Sequence, residues 1–338
     1  MAIAAALAAE AFGAVALWVT RPAEPWAAGA DELALAMTPA YADALAKSKA
    51  QAAVVWTGAD WQGLGLKAAI AVPRARLAMA HLTTAFAPLK PAESIDSSAV
   101  VRSRIVQGAS VGALSLIDED VVIGKGTQIS SHVCIGRGAA IGEGCIIHAG
   151  VRICAGAQIG DNCIIQPNAV IGADGFSFVT AGLSNEERAF QGMGRAPLAP
   201  PDDAIRHRIH SLGSVVIGDD VEVGANSTVD AGTIRPTQVG RGTKIDNLVQ
   251  VGHNVIVGDD CVLCAQAAVS GSTVLGNRVV MGGKSGIKDN VTVGDDVVLG
   301  GGAIVLNNVA AGHFVMGYPA VDMPVYRASQ KALRKLTR

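Results

Sequence analysis

With 338 residues, half of them apolar, the chain has room for two or three domains and a large buried core. Forty glycines against only 4% aromatics point to many tight turns around small aliphatic side chains. A net charge of −2 gives no global attraction to nucleic acid or an anionic membrane, and six cysteines without a secreted-type framework fit a reducing cytoplasm.

The first twenty residues lack a basic start, and Glu10 and Gly13 interrupt their apolar run. Neither a signal peptide nor a membrane span is expected there. A short Ala-rich helix followed by a strand at 14–20 is. Residues 1–90 carry all four tryptophans and no repeat. Strand-like runs at Ala52–Trp56 and Ala68–Val72 alternate with Ala-rich helical runs near 41–48 and 76–86, which predicts a small α/β domain. Pro88 and Pro91 introduce a linker over 91–98.

A strict period then begins. From Ile105 to Ile171 an aliphatic residue recurs every six positions, twelve times in all, and eleven of the twelve are Ile. A helix needs a spacing near 3.6 and an ordinary strand a spacing of 2, so neither accounts for six. A hexad works as one short flat strand plus a turn, three hexads making a triangular coil with the aliphatic residue inward. Coils stacked at strand spacing pair every backbone group with the coil above or below. The beat pauses after Ile171, returns at Ile217, Val223 and Val229, slips by four residues within 233–237, and runs on from Val239 to Val305. At ~4.8 Å per coil, about nine coils make a prism roughly 40–45 Å long. The expected fold is mainly β, a parallel β-helix of hexapeptide repeats over 99–320.

The pause, residues 174–213, contains Gly175-Phe176-Ser177-Phe178, His207 and His210. An insertion of this length in a regular solenoid is expected to be a loop on one face that carries function, the alternative being a featureless bulge. Residues 321–338 read as a short basic helix in which Arg327, Lys331, Arg334 and Arg338 share one face. Such a face suits either an acidic partner or plain solvation.

Few residues could carry chemistry. Cys261 and Cys264 form a CxxC without a second pair or a nearby histidine, and Cys145 and Cys163 stand one coil apart as small packing residues. His132 and His148 share no ladder, so no metal and no cofactor is expected. No G-x-S-x-G, Walker loop or dinucleotide fingerprint occurs. His253 falls two residues after the inward Val251, at a turn, where an outward imidazole is ordinarily a plain surface histidine. Asp246 lies seven residues earlier and could approach it across a corner. A carboxylate on one imidazole nitrogen sets the tautomer and raises the basicity of the other, as a general base requires.

Three stretches carry a family resemblance. Asp246-Asn247, Gln250-Val251-Gly252-His253-Asn254-Val255 and Val269-Ser270-Gly271-Ser272 resemble the UDP-3-O-acylglucosamine N-acyltransferases of lipid A biosynthesis. Ile171-Gly172-Ala173-Asp174-Gly175-Phe176 resembles the point where that family's first repeat array ends, and residues 33–45 resemble its uridine-binding domain. The resemblance covers nearly the whole chain in order and implies the left hand of the β-helix. It also implies a cytoplasmic homotrimer with active sites between subunits. His253 would be the general base on the sugar 2-amine, Asp246 would orient it, and the Gly271 N–H would hold the oxyanion. Tyr41 would stack on uracil, with Leu35, Asp174, Phe176, Asn247 and Gln250 as further substrate contacts. The basic helix at 321–338 would meet acyl carrier protein, the acyl donor.

The sequence departs from the family pattern at four places: Leu35 stands for a second stacking aromatic, Ala231 for an arginine, His210-Ser211 for a Pro-Gln pair and Asn290 for a histidine. Two further readings therefore stand beside the first, an acyltransferase for a different nucleotide amino sugar and a non-catalytic β-helix scaffold.

Overall fold

The computed structural model describes residues 2–86, 94–104, 108–192, 195, 197–200, 203–317 and 323–336. Ile105, Arg338 and residues 91–93 of the linker lie outside the described residues. The chain divides into two compact units, Met1–Lys90 and Pro91–Arg338.

The first unit runs α1 (Ala2–Ala6), β1 (Glu10–Gly13), β2 (Pro22–Ala23), β3 (Leu33–Ala36), a 3-10 turn Pro39–Tyr41, α2 (Ala42–Ala46), β4 (Ala52–Trp56), β5 (Ala68–Val72) and α3 (Ala75–Ala85). Its sheet has the order β1-β5-β4-β3-β2, with β1 antiparallel to β5 and the other pairs parallel. The strand expected at 14–20 lies earlier, at Glu10–Gly13. Gly13 turns the chain there with φ 74, and a Cβ would stand 2.2 Å from the Lys67 carbonyl oxygen, so the following residues form turns. Strand β3 was not legible from periodicity because its alternation, Leu-Ala-Leu-Ala, is apolar at every position. Leu33 and Leu35 pack with Val54 and Leu82 in one cluster, whereas Ala34 and Ala36 pack with Leu45 and Ala53 in another.

In the second unit most of the described hexads contribute a two-residue strand. The strands form three parallel sheets of ten, ten and eight strands among the described residues. Registers advance by eighteen residues per coil, as in Ile129↔Ile147 and Ile147↔Ile165. The inward aliphatic residue of each described hexad is buried, and so is the residue two positions before it, such as Val133, Ala139 or Val151. One position earlier again, the turn residue is left-handed: Asn162 (φ 55), Asn254 (φ 61), or Gly126 (φ 72). Asn, Asp and Gly tolerate that conformation best, which explains the polar, Gly-rich spacing between the aliphatic beats.

Hydroxyls and thiols share the second buried position. Thr243 Oγ1 donates to the Gly258 carbonyl at 3.0 Å and accepts the Cys261 N–H at 3.1 Å. Ser115, Thr127 and Ser227 bridge coils in the same way. Cys145, Cys163 and Cys261 are buried at equivalent positions, their thiols donating to carbonyls on the next coil. Among the described residues no group of His, Cys, Asp and Glu is arranged to hold a metal ion, and no helix is long and apolar enough to cross a membrane.

The interruption is a structured arm. Strand Val170–Asp174 overruns its hexad and pairs with Thr228–Ala231, with a register shift between Ile171 and Ala173. Beyond it Phe178–Val179 pairs antiparallel with His207–Arg208, and helix α4 (Asn185–Gly192) lies between them. The four-residue slip sits at the arm's return: Gly213 N–H donates to Gly232 O at 2.9 Å and Leu212 N–H to Thr233 O at 2.8 Å. The two breaks in the beat are therefore one local event. Helix α5 (Met323–Leu336) follows the last coil, with nearly every residue exposed.

Candidate active site

His253 stands at the corner after strand Gln250–Val251, held between two glycines. A Cβ on Gly175 would lie 2.7 Å from the His253 Cβ and 2.9 Å from its Cδ2. A Cβ on Gly271, the equivalent residue one coil on, would lie 2.8 Å from both Cε1 and Nε2. Both glycines are glycine because the ring occupies the space a side chain would need. Gly175 is itself tied down, its N–H donating to the Ser211 hydroxyl at 3.0 Å. The departure at Ser211 thus acquires a role: it fixes the backbone that packs on the imidazole.

His253, Gly271, Gln250, Asp174 and Phe176 line one cavity of about 340 Å³ together with Asp230. The imidazole Nδ1 is buried and has no hydrogen-bond partner among the described residues. The Nε2 edge lies against Gly271, whose own N–H makes no hydrogen bond among the described residues. A proton acceptor and a free N–H donor therefore adjoin one space. Thr233 N–H donates to Asn254 Oδ1 at 2.6 Å, and Asn254 N–H donates to Thr237 Oγ1 at 2.9 Å, which locks the turn carrying His253.

The carboxylate beside His253 within the chain is Asp230. It is 8% exposed and accepts a hydrogen bond from Gln250 Nε2 at 2.9 Å. Burial raises its carboxyl above the ordinary range, while the Gln250 bond and the nearby imidazole oppose that shift. Asp230 was not singled out as a site residue from the sequence. Its signal was indirect: an acidic residue one step after an inward Val, where the second array first slips.

Asp246 does not orient His253 within one chain. It follows strand Lys244–Ile245 at a different corner of the coil, where its two oxygens accept the N–H groups of Asn247 at 2.7 Å and Ala265 at 3.0 Å. Sequence separation suggested proximity, but each corner of a triangular coil faces its own way. Asp246 and Asn247 line a second cavity of about 490 Å³ with Lys244, Glu222 and Gln166. Asn290, in place of a histidine, stacks on the corner of the active-site cavity, its N–H donating to Gly271 O at 3.1 Å.

On the arm, Arg208 Nη1 lies 3.6 Å from Asp174 Oδ2, and its guanidinium stands 4.8 Å from the centre of the Phe178 ring. Phe176 packs edge-on against Phe178 at 5.1 Å yet remains 88% exposed. In the first unit, Tyr41 ends the 3-10 turn and is partly exposed. Leu35, expected as a further substrate contact, is half-buried and packs against the cluster that holds Leu33 and Val54. The strand period decides this: Leu35 lies on the same face of β3 as Leu33.

Comparison with known proteins bears on this constellation. The family model described as bacterial transferase hexapeptide (six repeats) matches residues 138–173 and 236–271, and that described as hexapeptide repeat of succinyl-transferase matches 214–251 and 272–307. The chain is 54% identical over 342 residues to the UDP-3-O-acylglucosamine N-acyltransferase of Ruegeria pomeroyi, covering 99% of this chain and 93% of that protein. It is 49% identical over 277 residues to the protein of the same name from Paracoccus denitrificans, covering 80% and 74%. Among solved structures, an Arabidopsis UDP-N-acetylglucosamine acyltransferase aligns with a TM-score of 0.52 at 18% identity, over 72% of this chain and 77% of that one, a likeness of fold.

Proposed function

We propose that this chain, which belongs to the UDP-3-O-acylglucosamine N-acyltransferase family and is an acyltransferase, moves a 3-hydroxyacyl group from acyl carrier protein to the 2-amine of a UDP-3-O-acylglucosamine in lipid A biosynthesis. The observation that carries the reading is the meeting of His253 and the free Gly271 N–H in one cavity. His253 takes a proton from the amine as its nitrogen attacks the thioester carbon. The Gly271 N–H stabilises the oxygen that becomes negative. Collapse breaks the C–S bond, and the departing thiolate receives the proton from the imidazolium, leaving an amide and a free thiol. An amine is nucleophilic enough that no acyl-enzyme is required.

The acyl chain has a path beside this centre. Outward residues stack from Gln250 to Ala268, Gly286 and Ile304 in successive coils. A cavity of about 220 Å³ runs along Ala268, Gly286, Ile304 and Leu306, small residues first and larger ones after. A hydrocarbon chain fits that order, with Ile304 and Leu306 limiting its length.

The active assembly is a homotrimer in this reading. The polar corner of one copy, with Asp246 and Asn247, faces the His253 corner of its neighbour and supplies contacts that one chain cannot. The carrier protein docks on α5, where Arg327, Lys331 and Arg334 are all exposed. Residence in the cytoplasm belongs to the same reading.

An acyl-transfer assay with carrier-linked 3-hydroxyacyl donors of several lengths tests it. His253→Ala is expected to keep the trimer and lose about 10²–10⁴-fold in kcat, the usual contribution of a positioned general base. Turnover at the wild-type rate would sink the assignment.

A further inference from the structure

The cavity along the acyl path has one charged side chain on its wall. Lys288 lines it beside Gly286, Ile304 and Leu306, while Ala268 and Ser270 belong both to this cavity and to the one that holds His253. The two spaces are therefore continuous, and a chain leaving the Gly271 corner meets Lys288 one coil later. An ammonium turned into that wall would oppose a hydrocarbon, which strips its hydration without replacing it. Lys288 pairs with no carboxylate among the described residues.

Its ammonium stands instead over the ring of Phe190, 5.1 Å from the centroid. That distance is within reach of a cation–π contact, in which the negative face of the ring attracts the charge. Phe190 belongs to helix α4 of the arm, and local bonds fix that helix. Ser184 N–H donates to Glu187 Oε2 at 2.7 Å and Glu187 N–H to Ser184 Oγ at 3.2 Å, a reciprocal cap at its start. Arg206 Nη2 donates to Glu186 Oε1 at 2.6 Å, which ties the helix to the returning limb of the arm. No residue of α4 is buried, and Phe190 is 66% exposed. Its ring serves no core; what it faces is the Lys288 ammonium.

We infer that Phe190 is a positioning residue for acyl-donor selectivity, drawing the Lys288 ammonium outward so that only the methylene stem of Lys288 faces the acyl chain. This rests on the acyl-transfer reading proposed above. The arm thereby sets the polarity of a wall to which it contributes no residue.

Transfer kinetics of the full-length protein test the inference. The donors are a carrier-linked 3-hydroxybutyryl group, which stops short of Lys288, and the longest 3-hydroxyacyl group that the unmutated protein turns over. Phe190→Ala is expected to raise KM for the long donor about 3–10-fold, the range a cation–π contact supplies, with kcat and the short donor unchanged. Lys288→Met in the same background removes the charge and restores the long donor's KM. Phe190→Tyr keeps the ring and should behave as wild type. Because α4 buries none of its residues, thermal unfolding should be unchanged in all three variants. Equal losses with both donors, or no recovery with Lys288→Met, would overturn the inference and assign Phe190 to the folding of the arm. A wild-type KM in Phe190→Ala would overturn it as well. Failure of the unmutated protein to transfer any donor would instead overturn the acyl-transfer reading, and the inference with it.

Discussion

The imidazole of His253 occupies space that two glycines leave open, which makes the site sensitive to a single methyl group. Gly271 has no left-handed backbone requirement, so Gly271→Ala is tolerated by the chain but drives a Cβ to 2.8 Å from Nε2. The expected outcome is a thermal unfolding midpoint within a few degrees of wild type and a loss of at least about 10²-fold in kcat, because a displaced ring no longer reaches the amine. Asp230 gives a different signature. Burial raises its carboxyl in the fold, so the native state binds the proton more tightly than the unfolded chain, whose carboxyl stays near 3.8. This contribution to stability is fully present below that value and is lost as pH rises through the raised range. Asp230→Asn keeps an oxygen for Gln250 and removes the buried charge. Denaturant unfolding should find the variant more stable than wild type at neutral pH, with the gain vanishing toward about pH 3. A larger gain at low pH would refute the assigned cause.

Among elements, the coil rests on two buried ladders, one aliphatic and one small. The aliphatic ladder was legible at once, because a six-residue recurrence of Ile has no helical or ordinary strand explanation. The small ladder was not, since Ser, Thr, Ala, Val and Cys share it and form no visible pattern. Thr243 is fully buried, and its hydroxyl satisfies the Cys261 N–H and the Gly258 carbonyl. Thr243→Val fills the same space but strands both groups, and should cost about 1–3 kcal/mol in equilibrium unfolding. A neutral result would mean the coils close without that bridge. The arm between Asp174 and Gly213 was legible as an insertion, but its content was not. That Ser211 grips Gly175, and that the slip near Thr233 seats the arm's return, depends on residues brought together across the chain.

At the scale of the whole molecule, charge is unevenly placed. The basic residues of α5 stand on an exposed helix in a protein of net charge −2. If this helix receives an acidic carrier, reversing Arg327, Lys331 and Arg334 to Glu should raise KM for the carrier-linked donor about tenfold or more. The wild-type KM should itself rise with salt, because exposed charges are screened over ~8–10 Å. A free small thioester donor should be unaffected. Sedimentation of the intact protein tests the trimer directly, and a monomer fully active at the same concentration would remove the need for a facing Asp246.

The β-helix could be foreseen residue by residue because its period is local: each hexad states its own strand, its inward side chain and its left-handed turn within six positions. The family resemblance likewise needed only contiguous strings, around His253, Gly271 and Asp174 and over residues 33–45. The carboxylate nearest in influence to His253 could not be foreseen in this way. Asp246 is seven residues away in sequence but turns to another corner, whereas Asp230, farther along the chain, comes to the imidazole through coil stacking. A repeat dictates where a side chain points within its own coil. Which side chains then meet is set by stacking, insertions and slips, and these are long-range.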